Sequence, residues 1–176
     1  MRKVLYILGQ LNDQDTDWLA SIGQRIHVKP GEILIKRGVR LEKLFIVLDG
    51  ELKVLAPNGK QIARVGSGDI LGEMSFVDES PTSASVEAVN EVLVLSLNRE
   101  IIKQRLEQDA PFAARFYKAI AIFLADRMRN TLANFGYGDV IGEAGALRED
   151  ELDENVLDNV FLAGSRFERM LKKLMG

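Results

Sequence analysis

Residues 68–88 read GDILGEMSFVDESPTSASVEA, and this stretch decides how the chain is interpreted. Gly72 stands directly before the run 73–75, so a glycine turn can open a short helix whose first backbone N–H groups have no partners within the helix. Such N–H groups suit an anion. Yet no Lys or Arg occurs between Arg64 and Arg99, while acidic residues recur throughout. The backbone pattern therefore favours an anion here, and the local charge opposes one.

Short β-rich runs separated by turn residues surround this stretch, over about residues 27–97. The runs are EILIK, KLFIVL, ELKVLA, QIARV and EVLVLSL, and they alternate with PG, GV, DG, NG and GSGD. Asn58 followed by Gly59 is a favoured hairpin turn between two of the runs. Short strands with a turn about every eight to twelve residues predict an antiparallel sandwich or barrel.

On both sides of the β-rich region the hydrophobic period becomes helical. Before it, Asn12 or Asp13 is a candidate N-cap of a short helix that ends at Gly23. After it, residues 101–106 predict a second short helix, and the apolar stripe over 117–135 predicts a long amphipathic one. We therefore assign residues 1–135 to one domain. Residues 136–176 are assigned to an acidic linker followed by an amphipathic helix at 152–175.

Composition and charge exclude several classes of function. The chain has 176 residues, a formal net charge of −3, no cysteine and one histidine, His27. The absence of cysteine excludes disulfides, thiolate zinc sites and iron–sulfur ligation. A lone histidine without a partner nucleophile predicts no enzyme and no metal site. The first residues are too polar for a signal peptide or a spanning helix, so we expect a cytoplasmic protein.

Four patterns, PGEILIKRG, LFIVLDGELKVL, GSGDILGEMSF and LADRMRNTL, resemble in order and spacing the cyclic nucleotide-binding domain of the catabolite-activator superfamily. The resemblance covers about residues 11–135, and the glycines at 31, 50, 68 and 72 followed by Glu73 make it specific. It implies a mainly β fold with α-helices: an antiparallel, jelly-roll-like β-roll of about eight strands, an N-terminal helix and a long C-terminal helix. In this family the ligand lies inside the roll, held by a phosphate-binding cassette, here residues 72–84.

The resemblance also implies which residues bind the ligand. Glu73 would accept a hydrogen bond from a ribose hydroxyl, and Ser83 and Ala84 would offer a hydroxyl and a backbone N–H group to the cyclic phosphate. Thr131, on the long helix, matches the position from which a side chain reaches the base. The full candidate set is Gly72, Glu73, Met74, Ser75, Thr82, Ser83, Ala84 and Thr131.

Thr82 departs from the family pattern, because the phosphate-binding arginine belongs at this position, directly after Pro81. Loss of an arginine fork removes two charge-assisted hydrogen bonds of about 1.5–3 kcal/mol each. Affinity for a phosphate would then fall by roughly 10² to 10⁴. Arg64, Lys60 or Arg127 would have to replace the missing charge if one of them folds over the site.

Three functions remain open at this point. The first is a non-enzymatic regulator that binds cyclic AMP (cAMP) or cyclic GMP (cGMP), weakly or with a substitute cation, and signals through dimerisation or a protein partner. The second is a site retuned to another small effector through the hydroxyls of Ser75, Thr82 and Ser83. The third is a ligand-blind scaffold that mediates assembly.

The signal output is predicted to be protein–protein contact. The segment after residue 135 is acidic at its start and shows one helix pattern, whereas a winged helix-turn-helix needs several helices and a basic recognition helix, so we expect no nucleic acid partner. We expect a homodimer through the 112–135 helix. The 152–175 helix packs on its own domain or docks on a protein partner, and the preceding acids oppose binding to an anionic membrane.

Overall fold

A computed structural model describes residues 8–134 and 154–175. The helices are α1 (Asp13–Ile22), α2 (Glu73–Asp78), α3 (Arg99–Gln108), α4 (Ala110–Asn134) and α5 (Glu154–Met175). The strands are β1 (Gln24–Val28), β2 (Ile33–Ile35), β3 (Lys43–Asp49), β4 (Glu51–Leu55), β5 (Gln61–Gly66), β6 (Ile70–Leu71), β7 (Ser85–Ala88) and β8 (Val92–Asn98). The acidic linker predicted between residue 136 and the helix at 152–175 lies outside the described residues.

The strands form two four-stranded antiparallel sheets within the described residues, in the orders β1-β8-β3-β6 and β2-β7-β4-β5. Strands from both sheets contribute buried side chains to one apolar cluster, so the sheets pack face to face. Asn58 and Gly59 connect β4 to β5, where Gly59 has φ +77° and Ala56 N–H donates to the Lys60 carbonyl at 2.9 Å. The predicted β-roll with flanking helices is confirmed.

Strand β3 lies between two cores, which explains its unbroken apolar run. Leu44, Ile46 and Leu48 pack in a cluster with the helices, while Phe45 and Val47 pack inside the roll. Successive side chains of a strand point to opposite faces, so a strand that is covered on both sides is apolar at every position.

Sequence reasoning missed β1, β6 and β7. Strand β1 begins at Gln24, directly after Gly23 ends α1, and its side chains are mostly exposed, so it shows little apolar alternation. His27 is one of these exposed residues. Strands β6 and β7 have only two and four residues, which is too short for a period to be recognised.

Asp15 joins three helices around one buried carboxylate. Its side chain is fully buried, and it accepts hydrogen bonds from Arg105 Nη2 at 3.0 Å and from Arg115 Nε at 2.7 Å. The Arg115 hydrogen bond to this carboxylate raises the pKa of the guanidinium above its ordinary value. The guanidinium of Arg105 contacts the rings of both Trp18 and Phe112, at 4.4 and 4.0 Å from their centroids. The position of α1 is thereby fixed against α3 and α4.

Helix α5 packs along α1. Met170 is fully buried in the same apolar cluster as residues of α1 and α4. Arg166 Nε donates to Asp13 Oδ1 at 2.7 Å, and Arg169 Nη2 donates to Asp17 Oδ2 at 2.7 Å. The Arg166 hydrogen bond lowers the pKa of Asp13 below its ordinary value. These contacts support packing on its own domain, while docking of a protein partner on the outer face of α5 stays a prediction.

Helix α4 uses most of its large apolar side chains within the domain. Within its described part, the buried ones are Phe112, Phe116, Ile120 and Phe123. Tyr117 and Met128 point outward, with 46% and 65% of their surface exposed. Any surface that α4 offers to a second copy is therefore narrower than the predicted stripe. None of the described helices has the length and apolar character needed to cross a membrane.

Candidate ligand-binding site

A cavity of about 250 Å³ lies between the β2-β7-β4-β5 sheet, α2 and α4. One wall is apolar and consists of Ile35, Val54, Ile62, Ala63, Leu71 and Val86. The other wall consists of Gly72, Glu73, Met74, Ser75, Thr82, Ser83, Ala84, Arg127 and Thr131. All eight residues predicted from the sequence thus line this one cavity. That they bind a ligand stays a prediction.

Gly72 permits the tight approach that opens α2. Its φ is +89°, in the left-handed region that favours glycine. A Cβ atom at this position would lie 2.5 Å from Leu41 Cδ2 and 3.1 Å from the Lys43 carbonyl oxygen. Both the conformation and the space therefore require glycine, and they place Glu73 at the cavity wall.

Glu73 is the buried carboxylate of the site, with 2% of its surface exposed. Arg127 Nη1 donates to Glu73 Oε1 at 2.5 Å, so that α4 and α2 are joined across the cavity. The same guanidinium lies 5.7 Å from the ring centroid of Phe123. A carboxylate buried to this extent needs a cation or several donors, and Arg127 provides the cation.

Sequence reasoning named Arg127 only among three possible substitute cations. The available signal was its spacing of four residues before Thr131 on the same helix, which places both side chains on one helical face. Thr131 Oγ1 donates to the Arg127 carbonyl at 2.8 Å. Its proton is therefore engaged by the helix backbone, and towards the cavity the hydroxyl acts as an acceptor.

Thr82 is buried and its hydroxyl is used by the backbone of the loop between β2 and β3. Oγ1 donates to the Lys36 carbonyl at 2.6 Å and accepts from Val39 N–H at 3.2 Å. The backbone N–H of Thr82 also donates to the Val39 carbonyl at 3.0 Å. Thr82 therefore fastens this loop to the cassette and carries no charge into the cavity.

The remaining predicted residues differ in exposure. Ser75 is buried in α2, and Ser83 is exposed. Met74 stands at the cavity with 53% of its surface exposed, as does Ile62 of the apolar wall. The exposed part of the cavity lining is therefore mixed, with the apolar Met74 and Ile62 beside the polar Ser83.

The other proposed substitute cations do not line the cavity. Arg64 pairs with Glu51 at 2.9 Å, and its side chain is 58% exposed. Lys60 is exposed in the turn between β4 and β5. Within residues 8–134 and 154–175, Arg127 is the cation that reaches the cavity wall.

A second cleft, lined in part by Arg40, Arg99 and Lys103, lies behind α2. Glu79, which ends α2 with φ +61°, accepts from Arg99 Nη2 at 3.1 Å and from Lys103. The Lys103 hydrogen bond lowers the pKa of Glu79 below its ordinary value. Arg99 also lies 5.8 Å from the ring centroid of Phe76. These contacts hold the end of α2 against α3 and keep both cations away from the cavity. The described residues contain no cluster of side chains suited to a metal ion.

Comparison with known proteins agrees with this geometry. Residues 25–109 match the family model of the cyclic nucleotide-binding domain. An uncharacterized NTE family protein of Mycobacterium tuberculosis is 27% identical over 118 residues, which is 67% of this chain and 20% of that protein. A CRP-like cAMP-activated global transcriptional regulator of the same organism is 25% identical over 123 residues, 68% of this chain and 54% of the regulator. The matched part of the chain therefore spans about a fifth of the length of the first relative and about half of the length of the second.

A solved structure shares the fold. The crystal structure of a cyclic nucleotide-binding domain from Methylobacillus flagellatus superimposes with a TM-score of 0.68 at 24% identity, covering 83% of this chain and 85% of that one. The match to the cyclic nucleotide-binding domain family therefore rests on residues 25–109 and on the shared fold.

Proposed function

We propose that this chain is a non-enzymatic regulatory module that binds cAMP or cGMP in the cavity described above. The observation that carries the proposal is that one cavity joins the glycine turn, the buried Glu73 carboxylate and Thr131. The carboxylate suits a ribose hydroxyl, because hydrogen bonds to a charged acceptor are strong. The apolar wall suits the faces of a purine base. The printed name of the CRP-like relative, a cAMP-activated regulator, supports the same ligand class.

The charge of the cavity predicts weak binding. The negative charge of Glu73 is balanced by Arg127, and Thr82 adds none, so a phosphate meets no unshared cation among the described lining residues. We expect an affinity roughly 10² to 10⁴ lower than that of a site with a cassette arginine. The alternative of an effector held by the Thr82 hydroxyl receives no support, since that hydroxyl already bonds to the Lys36 carbonyl and Val39 N–H.

Titration calorimetry with cAMP and cGMP tests this proposal. The native protein is expected to bind at least one of them, and Glu73→Gln is expected to weaken binding about tenfold or more, because a neutral amide accepts less strongly from a ribose hydroxyl. Glu91→Gln, which changes an exposed carboxylate, is the control and should bind like the native protein. Absence of heat from the folded native protein up to millimolar nucleotide would contradict the proposed function.

For the output of the module, we propose a homodimer through the exposed side of α4. Tyr117, Ala121, Leu124 and Met128 recur at spacings of four, three and four, the repeat of a helix–helix seam. Met128→Asp places a charge at the most exposed of the large apolar positions and is expected to convert a dimer into monomers. Light scattering after size exclusion measures the mass, and Ile101→Asp on α3 is the control. A native protein that is monomeric at about 50 µM would have a dimer dissociation constant well above the micromolar range. That result would rule out this dimer.

A further inference from the structure

Arg127 is one of the three cations that could replace the missing cassette arginine, and of those three it is the one that lines the cavity. The cassette, 72–84, contains no Lys or Arg. Of the cations described nearby, Arg64 is paired with Glu51 on the surface, while Arg99 and Lys103 are engaged by Glu79 behind α2. Arg127 alone among the described residues brings a positive charge to the cavity wall. We infer that Arg127, from α4, is the phosphate-binding cation of this site; the inference rests on the proposed function.

The geometry allows Arg127 to serve two acceptors at once. A guanidinium has five N–H donors in a planar fork, and the contact with Glu73 Oε1 uses one donor, on Nη1. Its side chain lines the cavity and is 28% exposed, so it is not fully enclosed by the protein. A cyclic nucleotide whose ribose hydroxyl bonds to Glu73 carries its phosphate on the adjoining ring. The phosphate is therefore brought towards the group that already contacts Glu73.

The charge balance supports a shared cation. With a nucleotide bound, the cavity holds two negative charges, one on Glu73 and one on the phosphate, and one positive charge on Arg127. Charges of like sign that are this close and shielded from water repel strongly, so the bridging position of Arg127 lowers the electrostatic energy more than a contact with Glu73 alone. If Arg127 only held Glu73, it would compete with the ribose hydroxyl, and its removal would strengthen the binding of any ribonucleoside.

The two roles are separated by comparing a ligand that has the phosphate with one that lacks it. Calorimetry gives the dissociation constants of cAMP and adenosine for the native protein, Arg127→Gln and Arg127→Lys. The quantity of interest is the Kd of adenosine divided by the Kd of cAMP, which reports the phosphate contribution. We expect Arg127→Gln to lower this ratio about 10- to 100-fold, the equivalent of one lost charge-assisted hydrogen bond. Arg127→Lys, which keeps the charge, should retain it within about threefold.

Two further variants keep the result interpretable. Arg64→Gln, a matched change of an exposed arginine outside the cavity, should leave the ratio unchanged. The double variant Thr82→Arg/Arg127→Gln should restore the ratio, and this shows that the loss in Arg127→Gln is not caused by misfolding. A ratio unchanged in Arg127→Gln, or tighter binding of both ligands, would overturn the inference while leaving the proposed function in place. A native protein that binds neither ligand would overturn the proposed function itself, and the inference with it.

Discussion

Thr82→Arg is expected to bind cAMP roughly 10² to 10⁴ times more tightly than the native protein. Position 82 lines the cavity beside Ser83 and Ala84, so a longer side chain reaches the phosphate from the cassette itself. The gain comes from two charge-assisted hydrogen bonds of a guanidinium fork, made by a cation that Glu73 does not already hold. Calorimetric titration of both proteins with cAMP measures the change.

The same substitution is expected to reduce stability. The hydroxyl of Thr82 bonds to the Lys36 carbonyl and to Val39 N–H, and its removal leaves both groups without that partner, at a cost of about 1–3 kcal/mol. Thr82→Val is the matched control, because it removes the hydroxyl and adds no charge. It should show the loss of stability with no gain in affinity. A folded Thr82→Arg protein that binds cAMP no better than Thr82→Val would show that a side chain at position 82 does not reach the phosphate.

Asp15→Ala is expected to lower the free energy of unfolding by about 3–5 kcal/mol, the range found when one partner of a buried ion pair is removed. Asp15 is fully buried and accepts hydrogen bonds from Arg105 and Arg115. Without it, two guanidinium groups lose their counter-charge between α1, α3 and α4. Asp15 also closes the capping box with Asn12 at the start of α1. Urea denaturation followed by circular dichroism measures the loss.

Asp13→Ala provides the comparison on the same helix. Asp13 also pairs with arginines, Arg166 at 2.7 Å and Arg169 at 3.5 Å, but its side chain is 57% exposed. Exposed ion pairs contribute about 0–1 kcal/mol, so this variant should lose far less stability than Asp15→Ala. Equal losses from the two variants would mean that burial of the Asp15 cluster does not determine its contribution.

The fold was largely predictable because its strongest signals are local. The run KLFIVL, the Asn58–Gly59 turn and the long apolar stripe of α4 each predict one element, and the structure contains all three. The N-cap was left open between Asn12 and Asp13, and the structure places it at Asn12. The short β6 and the exposed β1 have too few buried side chains to produce a pattern, so they were missed.

The candidate site was predictable only in part, because its side chains come from distant parts of the chain. The cassette 72–84 is a continuous segment, and its glycine and carboxylate can be read directly. The contact between Glu73 and Arg127 joins residues 54 positions apart, and no periodicity within either segment specifies it. The use of the Thr82 hydroxyl by the loop at 36–39 is also a long-range contact, 46 and 43 positions away along the chain. Such pairings depend on how the sheets and α4 meet.

The packing of α5 on α1 has a consequence for how the chain folds and for how it is truncated. The ion pair between Asp13 and Arg166 joins residues 153 positions apart, so almost the whole chain is enclosed in the loop that it closes. The entropy of closing a loop grows with the logarithm of its length, and contacts of this separation raise the contact order that slows folding. On the ribosome, α1 is synthesised long before the helix that covers it. Helices α1 and α5 thus cover each other's apolar side chains, and the removal of either helix exposes apolar surface on the other.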